Sequence, residues 1–185
     1  MDGSIRSVSM SSRLDSKACE VVKRAEERSL SIVTAESCTA GALATLLADT
    51  PGAGSCYRGG FIPYAKACKT ALLRIPAAPI AAHPPVSREV AERMAAGALA
   101  ASGADIAVAV TGVLGPEPDE DGNPVGLIHI AAAARDGQTC RAEIRSPETS
   151  RAANRERALA EALTLLADVV ANIPANGRRA EEPRR

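Results

Sequence analysis

A three-layer α/β/α sandwich with a mixed sheet is the fold class this 185-residue chain predicts. Three observations predict it. Short apolar runs of strand length alternate with stretches whose apolar residues recur at helical spacing, the pattern of helices layered on a sheet. The run at 104–110, apolar apart from Asp105, is consistent with a strand covered on both faces. Two later runs are separated by Arg135-Asp136-Gly137, a hairpin signal, so part of the sheet is antiparallel.

Each element follows in order. Residues 14–27 read as a helix, with Ala18, Val21, Val22 and Ala25 on one face. Residues 30–34 form a buried strand, and a helix from about Thr39 to Ala48 stops at Thr50-Pro51-Gly52. A strand over 56–62 is interrupted by Gly59-Gly60, and 65–73 form a short helix. The proline-rich stretch 75–85 admits neither helix nor central strand and reads as a crossover loop. Ser87 then caps a helix to about Ala101, with Val90, Met94, Ala98 and Leu99 facing the core. The strand at 104–110 ends in a loop over 111–116. Strands over 125–134 and 139–145 pair across the hairpin turn. A long helix over 150–170 carries Leu159, Leu163, Leu166 and Val170 at helical spacing. Residues 12–172 are thus expected to form one domain between flexible tails at 1–11 and 173–185, which lack periodic apolar faces.

Composition narrows the function classes. The chain holds 22 basic and 22 acidic residues, so no global field draws it to nucleic acid or to an anionic membrane. With one Phe, two Tyr and no Trp, base-stacking platforms are not expected and the core is built from Ala, Leu, Val and Ile. Five cysteines, at 19, 38, 56, 68 and 140, include no Cys-x-x-Cys pair, and read as reduced thiols of a cytoplasmic protein. Neither a membrane span nor a signal peptide is legible.

The segment richest in chemistry is Thr34-Ala35-Glu36-Ser37-Cys38-Thr39-Ala40-Gly41, a hydroxyl-rich, glycine-ended link between strand and helix. Ser37 and Thr39 at a helix start would stand beside N–H groups that have no intrahelical partner and can bind an anion or a developing oxyanion. Ser, Thr and Glu there are also ordinary helix caps, and spacing alone does not choose between the two readings.

This segment, Gly59-Gly60-Phe61-Ile62-Pro63-Tyr64-Ala65-Lys66-Ala67-Cys68-Lys69, Val86-Ser87, Thr111 to Pro116 with Pro124-Val125-Gly126, and the pair Arg151 and Arg155 are five ordered motifs. Together they resemble the CinA C-terminal domain family, whose stand-alone members are nicotinamide mononucleotide deamidases. The resemblance implies an amidohydrolase that converts nicotinamide mononucleotide and water to nicotinate mononucleotide and ammonia by a Ser/Lys mechanism, without a metal or organic cofactor. Its partner is then a small pyridine mononucleotide, and its state a homo-oligomer. Carried over, Ser37 is the nucleophile and Lys69 its base, with Tyr64 positioning or polarising one of them. Substrate contacts fall to Glu36, Thr39, Gly41, Thr111, Gly112, Gly115, Pro116 and Arg151.

Physical chemistry sets conditions on that assignment. A lysine removes a serine proton only when its amine is neutral, which requires burial or a neighbouring cation, and Lys66 lies one helical turn from Lys69. Taken alone, Lys69 is a solvated charge and Arg151 and Arg155 are surface ones, although either arginine could supply a fork for a phosphate. Cys38 is a rival nucleophile, but His83 and His129 sit in no recognisable cysteine-hydrolase context, and His129 reads as a sheet residue. Residues 117–121 form an acidic loop without calcium-loop spacing. Ala40, Pro63, Ala65-Lys66, Leu114, Glu117-Pro118 and Asn123 depart from the family's residues around the site. Two alternatives therefore stand beside the deamidase: a non-catalytic nucleotide-binding or sensing paralogue, and a hydrolase of a different small amide.

Overall fold

The computed structural model describes residues 10–75, 84–147 and 150–173. A five-stranded mixed sheet in the order β2-β1-β3-β4-β5 forms the middle layer. Its strands are β1 (Ile32–Glu36), β2 (Tyr57–Phe61), β3 (Ile106–Gly112), β4 (Leu127–Ala134) and β5 (Thr139–Arg145). β1 runs parallel to both β2 and β3. β4 is antiparallel to β3 and to β5. The helices are α1 (Met10–Glu27), α2 (Ala42–Ala48), α3 (Ala53–Cys56), α4 (Lys66–Leu73), α5 (Arg88–Ser102) and α6 (Arg151–Asn172).

Alternation along the strands divides the core in two. Ile32, Ile106, Val108, Val110, Ile128 and Ile130 point to one face, where they meet Val21 and Val22 of α1, Leu43 and Leu47 of α2, and Leu163 and Leu166 of α6. Val33, Ala35, Ala107, Ala109, Ala131 and Ala133 point to the other, against Val90, Met94 and Ala98 of α5 and Leu73 of α4. Alanines on this second face keep the sheet surface low, which lets α5 lie close. Gly97 on α5 admits α4 in turn, since a Cβ there would stand 2.6 Å from the Leu73 carbonyl oxygen.

β3 is central and buried from Ile106 to Thr111, as a run apolar on both faces demands. The hairpin joins β4 to β5 through a turn with Gly137 at φ 95°. β5 alternates exposed and half-buried residues, as an edge strand with one wet face should.

Several boundaries differ from those the sequence suggests. α1 begins at Met10, so the helix takes in residues assigned to the amino-terminal tail. Ile173 is still buried at the end of α6, and residues 1–9 and 174–185 lie outside the described residues, as do 76–83 of the crossover loop and His83. A short helix, α3, follows the Thr50-Pro51-Gly52 stop. β3 runs through Thr111 and Gly112, which pair with His129 and Ile128 where a loop was expected.

The most consequential difference lies after β1. α2 begins at Ala42, three residues later than expected. Ala40 at φ 51° and Gly41 at φ 93° put two left-handed residues in succession, and no α-helix passes through such a pair. Residues 38–41 are a turn, and Thr39 lies inside it rather than at a helix start.

Candidate functional site

The three parallel strands end side by side, and the chain leaving them encloses a cavity of about 540 Å³. Ligands of α/β sheets lie outside the carboxyl ends of strands, and this is that end. Ser37 and Cys38 enter the cavity from β1, Tyr64, Lys66 and Lys69 from beyond β2, and Thr111 to Gly115 from β3. Pro85, Val86, the acidic loop and Arg151 complete the wall.

Ser37 is held by the sheet it leaves. Its N–H donates to the Val110 carbonyl at 2.9 Å, extending the β1–β3 ladder by one bond. Lys69 faces it from α4 and is only 2% exposed. Its Nζ lies 3.3 Å from Ser37 Oγ and 3.3 Å from the Pro63 carbonyl oxygen, so both its contacts are to neutral oxygens. Burial lowers its pKa from the usual 10.5; Cys38 and Cys68 oppose that, and the Lys66 charge adds a smaller push in the same direction. Desolvation, more than the neighbouring cation, brings the amine toward its neutral form. Lys66 is itself occupied, donating to Asp121 at 3.0 Å and lying 3.9 Å from Glu120, which raises its own pKa.

Cys38 is buried beside this pair. Burial pushes its thiol up to about 12, so it carries no thiolate near neutrality. Tyr64 stands on the cavity rim, 61% exposed, and its hydroxyl makes no hydrogen bond to Ser37 or Lys69. Among the described residues no backbone carbonyl takes up the N–H of Cys38 or of Thr39.

The structure brings Ser37, Lys69, Tyr64, Thr111, Gly112, Gly115 and Arg151 to one cavity; it does not bring Glu36, Thr39, Gly41, Pro116 or Arg155 there. Glu36 is fully buried, and its carboxylate accepts from the N–H groups of Gly41, Leu43 and Ala44 at 3.1, 3.0 and 2.8 Å. The start of α2, expected to be open to an anion, is therefore filled by the chain's own carboxylate. Thr39 is buried and its Oγ1 has no hydrogen-bond partner among the described residues. Gly41 packs under Ile62, Pro116 is exposed after a cis peptide bond, and Arg155 points to solvent from α6.

The wall opposite Ser37 is braced from several elements. Arg151 Nη1 donates to the Gly115 carbonyl at 3.0 Å, and Thr111 Oγ1 to the Pro85 carbonyl at 3.0 Å. Asp119 accepts from the N–H groups of Asp121 and Asn123 and from the Asn123 amide, so it shapes the acidic loop. Among the described residues no group of three or more His, Cys, Asp or Glu is arranged to hold a metal. His129 is buried on β4, 3.8 Å from Glu143, and burial lowers its pKa. No helix among the described residues is long and apolar enough to cross a membrane.

Two contributions escaped the sequence reading, one of them from a residue noted there only as a departure from the family. Asn154, fully buried on α6, donates to the Leu114 carbonyl at 3.1 Å and ties that helix to the loop. An asparagine on the apolar stripe of a helix was the available signal. Pro63 contributes through its backbone, for which no side-chain motif could have signalled.

Comparison with known proteins agrees with this architecture. The profile of the CinA C-terminal domain matches residues 14–170. A CinA-like protein of Mycobacterium tuberculosis is 42% identical over 143 residues, which are 77% of this chain and 33% of that protein. A CinA-like protein of Mycolicibacterium gilvum is 50% identical over 106 residues, 57% of this chain and 25% of the relative. The chain thus spans about a third or less of the curated relatives it matches. Solved structures are matched nearly whole. A competence/damage inducible protein from Agrobacterium tumefaciens superposes with a TM-score of 0.77 at 34% identity, covering 85% of this chain and 94% of that one. The competence damage-inducible protein A of Klebsiella pneumoniae gives 0.81 at 33% identity, over 86% and 98%. With the profile spanning nearly all of the sandwich and its site, the chain belongs to the CinA family through its C-terminal domain.

Proposed function

We propose that this chain is an amidohydrolase of the nicotinamide mononucleotide deamidase type, acting through Ser37 and Lys69 as a cytoplasmic enzyme without a metal or organic cofactor. The observation that carries the reading is the buried amine of Lys69, 3.3 Å from Ser37 Oγ and engaged only by neutral oxygens. A solvated lysine would be a cation and useless as a base. This one is pushed toward the state that has a lone pair to offer.

The neutral amine donates one N–H to the Pro63 carbonyl, which aims its lone pair at the Ser37 hydroxyl. Ser37 Oγ attacks the carboxamide carbon while its proton passes to Lys69. The carbonyl oxygen becomes an oxyanion, for which the backbone N–H groups of the turn after Ser37 are the candidate donors. The Lys69 ammonium then gives its proton to the departing nitrogen, ammonia leaves, and an acyl-Ser37 remains. Water, losing a proton to Lys69, hydrolyses that ester and returns both residues to their starting state. Arg151, with Thr111 and Gly115 beside it, forms the side of the cavity suited to a phosphate. The cavity volume falls within the range of small-molecule sites.

One observation favours a second reading, a different small amide. Glu117, Glu120 and Asp121 line the same cavity and repel a dianion. The test is ammonia release from nicotinamide mononucleotide by the parent and by Ser37→Ala and Lys69→Ala, each checked for folding. Turnover by the parent and loss in both variants supports the deamidase. A parent that turns over other pyridine carboxamides but not the mononucleotide supports the second reading. Binding without turnover of any amide supports a sensing domain.

A further inference from the structure

The carboxylate of Glu36 has no part in the mechanism above and does not reach the cavity. It is nevertheless fully buried and satisfied by three backbone N–H groups, all from residues 41–44. Those groups lie after Ser37-Cys38-Thr39-Ala40 in the chain, and Glu36 itself lies before that segment. The side chain therefore closes a loop around Ser37-Cys38-Thr39-Ala40. On the other side the Ser37 N–H is pinned to Val110, and the Ala40 N–H donates to the Ser37 carbonyl at 3.2 Å. The enclosed segment holds Ala40 at φ 51°, a conformation that costs a side-chain-bearing residue energy and lasts only where surroundings enforce it.

We propose that Glu36 is the positioning residue of this site. Its carboxylate ties the first turn of α2 to the end of β1 and so holds Ser37 Oγ against Lys69. It also occupies the N–H groups of Leu43 and Ala44, while that of Ala42 donates to the Thr39 carbonyl at 3.1 Å, so the start of α2 is unavailable to a substrate anion and phosphate recognition falls to the Arg151 side. The catalytic part of this inference rests on the Ser37/Lys69 reading; the structural part does not.

Glu36→Gln keeps size and shape but turns an amide N–H₂ toward donors, and Glu36→Asp keeps the charge while withdrawing it by one methylene. Two measurements separate the two parts. The first is amide hydrogen exchange of residues 41–44 together with the Ser37 Oγ to Lys69 Nζ distance in a crystal structure of the variant. The expected result is loss of protection confined to the turn and a longer distance. The second is the rate of Ser37 phosphonylation by a fluorophosphonate and of amide turnover. Both are expected to fall about 10–100-fold, in kcat with KM nearly unchanged, as a misplacement of about 1 Å can produce. Partial recovery in Glu36→Asp relative to Glu36→Gln would support a role of the carboxylate itself.

A folded Glu36→Gln with its turn still protected and Ser37 in place overturns the inference. So does a variant with a displaced turn but parental labelling and kcat. If the parent neither labels nor turns over any amide, the Ser/Lys reading fails, and exchange and geometry still decide whether Glu36 holds the turn. Should Glu36→Gln not fold, the same measurements on Glu36→Asp decide it.

Discussion

The amine of Lys69 sits between Ser37 Oγ and the Pro63 carbonyl, 3.3 Å from each. The side chain of Pro63 offers no hydrogen-bonding group, yet its carbonyl anchors the amine. Because burial lowers the Lys69 pKa from 10.5, the deprotonated fraction grows at lower pH than for a free lysine. The kcat/KM for amide hydrolysis is expected to rise with pH through an inflection below 10.5 that reports this amine. An inflection at the unperturbed value would contradict a buried general base.

The same pKa shift has a consequence for stability. A lysine whose folded pKa is depressed binds its proton more readily in the unfolded chain, so stability rises with pH between the folded value and 10.5. Below the folded value the penalty is constant, and above 10.5 it is gone. Lys69→Met removes this contribution, so denaturant unfolding should show the parent gaining on the variant as pH climbs through that window. One proton sets a ceiling of about 1.4 kcal/mol per pH unit on the slope difference. Parallel pH profiles would mean that Lys69 ionises as easily folded as unfolded.

Turn 38–41 offers a pair of substitutions with opposite signs. Ala40 at φ 51° bears a strain of about 1–2 kcal/mol that glycine relieves, against about 0.5–1 kcal/mol of extra unfolded-state freedom. Ala40→Gly is thus expected to stabilise the protein by about 0.5 kcal/mol. Gly41→Ala meets both φ 93° and the Ile62 Cδ1 atom 3.0 Å from the new Cβ. It should destabilise by about 1–3 kcal/mol, and equilibrium unfolding of both variants checks the pair.

Arg151 and Arg155 differ in placement despite standing one helical turn apart. Arg151 lines the cavity and braces Gly115, whereas Arg155 faces solvent. Arg151→Ala is expected to raise KM for a phosphorylated amide about 10-fold or more, and Arg155→Ala to leave it unchanged. The comparison substrate is the corresponding nucleoside, for which Arg151→Ala should cost much less. Equal losses on nucleoside and nucleotide would remove phosphate from the role of Arg151.

Thiol chemistry distinguishes the five cysteines without any substrate. Cys19 is exposed, whereas Cys38 and Cys56 are buried with thiols raised by burial, Cys38 to about 12. Iodoacetamide at neutral pH should therefore alkylate Cys19 first and leave Cys38 and Cys56 unmodified in the folded protein. Mass spectrometry of timed digests reads the order, and rapid alkylation of Cys38 would revive it as a nucleophile.

What the sequence by itself determined is the layering and the address of the site. The apolar run around Val108 has the length and composition of a strand covered on both faces and is the central one, and the Ser87 hydroxyl does cap α5 by accepting from the Val90 N–H. Arg135-Asp136-Gly137 does turn a hairpin, because each of these signals is local and acts over a few residues. What only the tertiary structure decided is the state of each polar group. Lys69 reads as a solvated charge until α4 is packed against α5, and Lys66 as a neighbour of Lys69 until Asp121 arrives from 55 residues away. Glu36 and Thr39 read as site residues until Ala40 and Gly41 turn the chain and the carboxylate folds back on α2. Burial and hydrogen-bond partners are set by segments distant in the chain, and these quantities decide whether an amine is a base, a thiol is inert, or a carboxylate is structural.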